Sequence, residues 1–408
     1  MSKIKIKNFG PIKEGYQQDD GFIDIKKVTV FIGNQGSGKS TVAKTISTLT
    51  WLEKAINRGD VELGKITQKY FYDIFQYQRI HKYFKDNTEI EYLGDRMTIR
   101  YAKHLDYPEI IIKSGENFYV PKIMYVPAER NFLSAVQNAF GIKNLPDTLY
   151  TFAEELRKGQ LELKGDLLLL PIGEIKYKYK EDNDTSYLLG EDFELNLLDS
   201  SSGYQSFVPL YLVTKFLSDE LQKGENVSRE QLNVEQSVRR NNEIAKIMFD
   251  EAITESQKNQ KVKEIDAKYL NTCFINIVEE PEQNLFPVSQ QKMLNSLLIF
   301  NNLKSENKLI ITTHSPYLVN DITLSVKAHE LKEKIRTDEL KSRLARIVPL
   351  TATINPDDLA IYELNEKIGT IKKLGNFEGI PSDKNFLNTS LRNGNQQFDS
   401  LLEIEEEL

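Results

Sequence analysis

The feature that most limits what this chain can become is a run that starts at residue 28. "VTVFIG" is almost wholly apolar, "NQGSGKST" follows it without a break, and "VAKTISTLTWLEKAI" comes next. An apolar run of that length reads as a buried strand, and Val42, Ile46, Leu49, Leu52 and Ile56 recur at helical spacing. From Gly33 to Thr41 stand three glycines, a lysine and three hydroxyl residues. The spacing fits G-x-x-x-x-G-K-[ST], with Gly33, Gly38, Lys39 and Ser40 at the defined positions. Glycines let backbone N–H groups converge on an anion with no Cβ in the way, and the helix that follows adds its positive end. The segment formed by Gly33, Asn34, Gln35, Gly36, Ser37, Gly38, Lys39, Ser40 and Thr41 is therefore expected to cradle phosphates. In such a loop the lysine reaches the outer phosphates and the Ser40 hydroxyl is offered to Mg2+.

Three further segments carry chemistry. In "FINIVEEPEQNLFP" an apolar strand ends in two adjacent carboxylates, Glu279 and Glu280. Paired charge at the end of a buried strand is costly unless a cation or water is handled there. The first carboxylate suits Mg2+ and the second suits orienting or deprotonating a water. In "LIITTHSP", His314 follows another apolar strand, one strand–helix–strand unit later, where it can donate to a phosphate or to that water. In "SSSGYQS", Ser202, Gly203 and Gln205 open an apolar helix; small hydroxyls at a helix start suit either an anion or a plain N-cap.

The remaining chain reads as one composite α/β unit over residues 1–408, without repeats or Gly/Ser-rich linkers. Residues 1–130 hold a strand at "KIKIKNF", the glycine loop and a peripheral sheet that includes "DRMTIRYA" and "EIIIKS". Residues 131–217 hold a helix near 146–166, a polar hairpin at "EIKYKYKEDNDTSYLL" and the serine segment. Residues 218–268 are highly charged, and read as a helical spur or as a mobile insertion. Residues 269–350 carry the paired carboxylates and His314, and residues 351–408 add the strands "LAIYELN" and "GTIKKL" before a polar end.

Bulk composition narrows the partners. A net charge of -7 argues against a wholly basic nucleic-acid binder, while a local basic groove stays open. The single cysteine, Cys273, sits in an apolar run and reads as a buried small hydrophobe, which suits a reducing cytoplasm. None of the four histidines pairs with cysteine or another histidine at metal-ligand spacing, so a structural zinc site is not expected. "DLLLLPI" is far too short to span a bilayer, and "MSKIKIKNFG" lacks a signal-peptide core, so no membrane association is expected.

Taken in order, "KIKNFGPIK", "VFIGNQGSGKST", "YVPAERNFLS", "SSGYQS", "EEPEQNLFP" and "TTHSPYLV" resemble the ATP-binding-cassette (ABC) ATPases, in the soluble branch related to SMC, RecF and OLD-type proteins. More narrowly, the chain is similar to bacterial AAA-family ATPases that serve as ATPase subunits of phage-defence modules such as Septu and PARIS. The resemblance implies a P-loop NTPase of ABC type: a mixed central sheet flanked by helices, a peripheral antiparallel sheet and a helical lobe. It implies ATP and Mg2+ as ligands, residues 33–41 as the Walker A loop and Glu279 as the Walker B carboxylate. It makes Glu280 the catalytic base, His314 the switch histidine, and Lys39 a catalytic cation. Ser202, Gly203 and Gln205 match the signature loop, which in that family caps the ATP of a second subunit. Tyr204 stands in place of the second glycine of the commoner LSGGQ form, and Glu279 stands where many relatives carry aspartate. "PAERN" occupies the place of the glutamine loop; Glu129 and Arg130 are candidates for linking ATP state to the lobe, or else form a structural Arg–Glu pair.

The resemblance further implies a head-to-tail homodimer or higher oligomer that acts as a switch for a separate effector, a nuclease or toxin. No long coiled coil interrupts residues 131–199, and no D-x-D triplet of a nuclease domain follows His314; the triplet from Asp182 to Asp184 reads as a turn. The alternatives are a RecF- or SMC-like repair ATPase that binds DNA directly, a transporter's nucleotide-binding subunit, and an inert ATP-binding scaffold.

Overall fold

The computed structural model describes residues 2–105, 107–113, 119–136, 139–223, 232 and 234–407. Strands are numbered in chain order. Four strands of the central sheet run in the order β4 (Val28–Gly33), β14 (Lys308–Thr313), β13 (Cys273–Glu279), β8 (Pro121–Val126). On the other side of β4 lie β15 (Leu359–Asn365), β16 (Thr370–Lys373) and β2 (Gly15–Tyr16). β8, β13, β14, β4 and β15 are mutually parallel, and β16 returns antiparallel to β15, so the sheet is mixed. Every residue of β4 and of β13 is buried. That explains their near-continuous apolar sequence, because a parallel strand covered on both faces has no polar side.

Alternation along β4 divides the interior. Val28, Val30 and Ile32 join one core, with Met124, Val126, Phe274, Val278 and Ile311. Phe31 faces the other, with Tyr125, Ile277, Ile310 and Tyr362. α1 (Lys39–Arg58) covers the second core through Val42, Ile46, Leu49 and Leu52, the residues whose spacing predicted the helix. Beyond it lies the antiparallel sheet β3–β1–β5–β6–β7, formed by Ile23–Ile25, Ser2–Lys7, Glu89–Leu93, Met97–Ala102 and Glu109–Ile112. Besides the two strands expected of it, β6 and β7, it takes in β1, β3 and β5, and a short helix, α2 (Gln68–Gln76), buries Phe71 and Phe75 against the same core.

The first core is closed by the helices Pro287–Asn301 and Pro316–Lys334 and by a lobe. The lobe comprises α4 (Asp147–Glu162), a small sheet of β9 (Leu168–Leu169), β10 (Lys176–Lys180), β11 (Thr185–Leu189) and β12 (Glu194–Asn196), and α5 (Ser202–Lys223). A one-turn helix, α3 (Phe132–Ala135), leads into it. The hairpin expected to be polar is polar on one face only. Tyr177, Tyr179 and Leu188 are buried, and the alternating lysines face out.

The architecture is α/β, with helices on both sides of the mixed sheet. In the charged segment, residues 224–231 and 233 lie outside the described residues; the described part forms two helices, Val234–Met248 and Glu255–Tyr269. A capping box between Thr254 and Gln257 opens the second, and Arg239 reaches Asp60 just past the end of α1. Where the tail was expected to end in a polar stretch, the helix Phe386–Glu406 forms, with no buried residue.

Candidate functional site at the ends of the parallel strands

Register places the site. Thr312 pairs with Phe31 on one side and with Glu279 on the other, so β4, β14 and β13 finish level. The chain leaves all three at one edge of the sheet, through Asn34, His314 and Glu280. In open α/β sheets this carboxyl edge is where ligands bind.

The glycine loop is held from behind as well as by its own conformation. A Cβ on Gly33 (φ 147°) would stand 2.5 Å from the Leu364 carbonyl oxygen of β15. One on Gly38 (φ 101°), the N-cap of α1, would stand 3.0 Å from Ile12. Asn34 donates through Nδ2 to Glu366 and accepts from the Gln35 amide through Oδ1. The Ser37 hydroxyl is buried and has no hydrogen-bond partner among the described residues. Lys39 is only 5% exposed; its ammonium donates to the carbonyls of Gly33 and Asn34, both at 2.9 Å. Burial pulls its pKa down to about 8 against the opposing pull of Glu280, Glu282 and Glu279. Ser40 is exposed and Thr41 buried.

The two carboxylates at the end of β13 have different surroundings. Glu279 is buried; Oε2 accepts a long hydrogen bond, 3.4 Å, from the Ala128 amide, and Oε1 has no partner among the described residues. A buried carboxylate oxygen left unpaired costs on the order of 1–3 kcal/mol. The Tyr125 hydroxyl is pushed well above its ordinary value by burial and by the Glu279 charge. Glu280 is half-buried and adopts a left-handed conformation, φ 44°. Its amide donates to Thr312 O at 2.9 Å, and its Oε1 lies 3.2 Å from His314 Nε2. The imidazole holds the Glu280 carboxyl below the usual carboxylate range. The other imidazole nitrogen, Nδ1, is 3.4 Å from the Lys39 ammonium. Lys39, His314 and Glu280, expected from three separate segments, therefore meet as one chain of contacts.

A third acid completes the arrangement and was quoted in the motif without a role. Glu282 accepts from the Thr313 hydroxyl at 2.7 Å and from the His314 amide at 2.8 Å. It fixes the turn that carries the histidine, and burial raises its pKa. The Ser315 hydroxyl, bonded to Gln290 at 2.6 Å, secures the next helix. The only advance signal for Glu282 is its position two residues after the pair. Nothing local marks Leu364 or Ile12 as the backing of the loop.

The serine segment faces two ways. Ser202 is exposed at the first residue of α5. Gln205 turns back, and its Nε2 donates to the carbonyls of Leu198 at 2.8 Å and Ser200 at 3.2 Å, so it shapes the preceding loop. Gly203 packs against the chain after β13: a Cβ there would lie 2.9 Å from Asn284 O. The Tyr204 ring reaches the turn at Gly173 in the lobe. No hydrogen bond among the described residues joins residues 200–206 to residues 33–41. Arg130 and Glu129 do not form the pair that was one of the two expectations. Glu129 is exposed, while Arg130 is fully buried and bonded to backbone carbonyls.

Among the described residues no helix is long and apolar enough to cross a membrane, and no group of three or more His, Cys, Asp or Glu residues could hold a metal ion by itself. Cys273 is buried, and burial pushes its thiol up to about 11.

Neither a protein-family model nor a curated protein matches the sequence. Among solved structures, the chain is similar to an SMC head bound to the C-winged helix domain of ScpA, at 10% identity over 91% of this chain and 96% of that one, TM-score 0.40. It is similar to the SMC head domain from Thermotoga maritima, at 9% identity over 92% and 98%, TM-score 0.36. It is also similar to the ATP-binding cassette MJ0796 in a dimeric post-hydrolysis state bound to ADP and Pi, at 12% identity over 92% and 100%, TM-score 0.29.

Proposed function

We propose that the chain binds and hydrolyses ATP, and that two copies close around the nucleotide. The observation that carries the reading is the chain of contacts Lys39–His314–Glu280 at the mouth of the glycine loop. A cation for phosphate, a histidine and an ionised carboxylate stand within reach of one another at the edge where the loop, β13 and β14 end. On this reading the backbone and Lys39 hold the phosphates, Glu280 takes a proton from the attacking water, and His314 steadies the terminal phosphate or that water.

The residues fit Mg2+ as well. The unpaired, buried Oε1 of Glu279 and the exposed hydroxyl of Ser40 supply hard oxygen donors, few enough to leave room for waters and phosphate oxygens. Those two side chains would hold the ion, which when bound would neutralise charge on the phosphates. Ser202 and the Gly203 backbone would cap the ATP of a second copy, with Gln205 holding their loop in shape. The exposed position of Ser202, together with the lack of a hydrogen-bonded link to residues 33–41, supports a cap that acts between chains.

The biological role we infer is that of a switch for a separate effector, a nuclease or toxin, in bacterial anti-phage defence. Its support is the ordered motif set. Phosphate release by the purified chain with Mg2+ and ATP tests the enzymatic part: turnover in the wild type and none in Glu280→Gln is expected. Equal, background-level release from both would overturn it. Co-purification with the product of an adjacent gene tests the second part, a nuclease or toxin being the expected catch.

A further inference from the structure

Arg130 is among the largest fully buried side chains in the molecule, at 0% exposure. A buried guanidinium normally meets a carboxylate. This one has no carboxylate oxygen within ion-pair distance among the described residues. Its donors go to peptide carbonyls from three parts of the chain. Nε donates to Ser206 O at 3.2 Å, in the first turn of α5. Nη1 donates to Pro127 O at 3.3 Å and to Glu279 O at 2.7 Å, and Nη2 donates to Glu280 O at 2.6 Å. Burial pulls its pKa down to about 10, opposed by the nearby charges of Glu282, Glu280 and Glu279, so it keeps its proton near neutrality.

The two shortest of these bonds grip the peptide units on either side of the Glu280 carboxylate. Glu280 sits at φ 44°, a conformation that L-residues avoid without outside support. Its amide is held by Thr312 O, and its carbonyl by Arg130. A second tie runs parallel to the first: Asn284, also left-handed at φ 60°, donates through Nδ2 to the Ser206 hydroxyl at 3.0 Å. Residue 206 is thus bound twice, through its carbonyl to Arg130 and through its hydroxyl to the segment that follows Glu280.

We propose that Arg130 is a positioning residue, which holds the Glu280 backbone in its left-handed turn and couples it to the first turn of α5. Movement of that turn, where Ser202 stands, then shifts the Glu280 carboxylate relative to His314. The inference rests on the reading of Glu280 as the base and of Ser202 as the cap.

The full chain and its Arg130→Met and Asn284→Ala variants decide the matter, with steady-state ATP turnover and hydrogen exchange of the nucleotide-free protein as readouts. Arg130→Met is expected to lower kcat about tenfold or more while KM for ATP stays within about twofold, the split that marks lost positioning rather than lost binding. Amides of residues 280–285 and 202–206 are expected to exchange about tenfold faster, with those of β4 and α1 unchanged. Asn284→Ala is expected to lower kcat about threefold with the same KM. Turnover per nucleotide-binding site equal to wild type, or unchanged exchange over residues 280–285, would overturn the inference. If Arg130→Met does not fold, Asn284→Ala is read by the same two criteria. A wild type without turnover defeats the ATPase reading and with it the positioning of a base, while the exchange measurement still decides whether Arg130 ties the two segments together.

Discussion

The glycine loop and the serine segment both open a helix with small residues and hydroxyls, yet they are built to different ends. The glycine loop is backed by β15 and Ile12, stands level with the ends of β13 and β14, and brings its lysine to His314. Cation, backbone donors and carboxylates all come from one neighbourhood. The serine segment has no cation of its own. Its inner side is stitched down by Arg130, Asn284 and Gln205, and only its outer side, at Ser202, is free. A loop with donors but no charge is a poor anion site by itself and a good lid for an anion already held. The difference supports a nucleotide held by one chain and covered by another.

The largest effect should come from the loop that holds charge. Lys39→Ala is expected to cut ATP turnover by about a thousandfold or more, measured by phosphate release, because the cation acts where charge develops. Next comes the lid. Ser202→Arg should leave nucleotide affinity within about twofold by fluorescent-analogue titration. It should also abolish the ATP-dependent rise in mass seen by light scattering and lower turnover about tenfold to a hundredfold. Mixing the two defective variants sharpens the contrast further. A mixed pair contains one site with an intact lysine and an intact serine, so an equimolar mixture should regain about a quarter of wild-type turnover. No recovery would mean that both segments serve the same nucleotide within one chain.

A smaller effect concerns how firmly the lobe behind the lid is anchored. Glu155 of α4 is buried and accepts from Lys122 of β8 at 3.1 Å and from Lys158 at 3.0 Å. Burial alone would raise its pKa, but the two ammonium groups outweigh it, and the folded value lies below the ordinary one. A lowered folded pKa means that the stabilisation is present above the unfolded value and is lost as pH falls through the folded one. Glu155→Gln should therefore cost about 1–2 kcal/mol in urea melts at pH 7, a cost that shrinks as the pH is lowered below the ordinary carboxylate range.

The smallest effect has the opposite sign and lies in the helix Pro316–Lys334 after His314. Burial raises the half-buried Asp321 to about 6. The folded state then favours the neutral acid, so a penalty builds up as pH rises from the unfolded value through 6 and is complete above it. Asp321→Asn should stabilise the chain by up to about 1 kcal/mol at pH 8, a value reduced for solvent screening, and do nothing at pH 4, in the same melts.

Much of the glycine-loop side was legible in the sequence, because it depends on local pattern. The apolar strand, the glycines and the helix period of α1 are contiguous, and the paired acids and His314 each end a strand of obvious type. What stayed hidden depends on contacts between distant segments. Leu364 presses on Gly33 from more than three hundred residues away, and only parallel pairing of β15 with β4 brings it there. Glu282 looks like a surface acid until β14 lies beside β13 and offers Thr313 and the His314 amide. The hairpin "KYKYK" looked polar because lysine dominates it, although its tyrosines alternate inward. Arg130 was legible as a candidate and not as a clamp, because its acceptors are carbonyls, which leave no trace in the residue letters.

That last property has a consequence for how the molecule can vary. Each of the oxygens that answer Arg130 belongs to the main chain, so replacing the side chain at 206, 279 or 280 leaves the acceptor in place. The dependence runs one way: the clamp tolerates changes among its neighbours, yet a change at position 130 finds no second-site suppressor among the residues it grips. In a mutational screen, position 130 should stand as a solitary intolerant site, without the reciprocal partner that a buried ion pair would reveal.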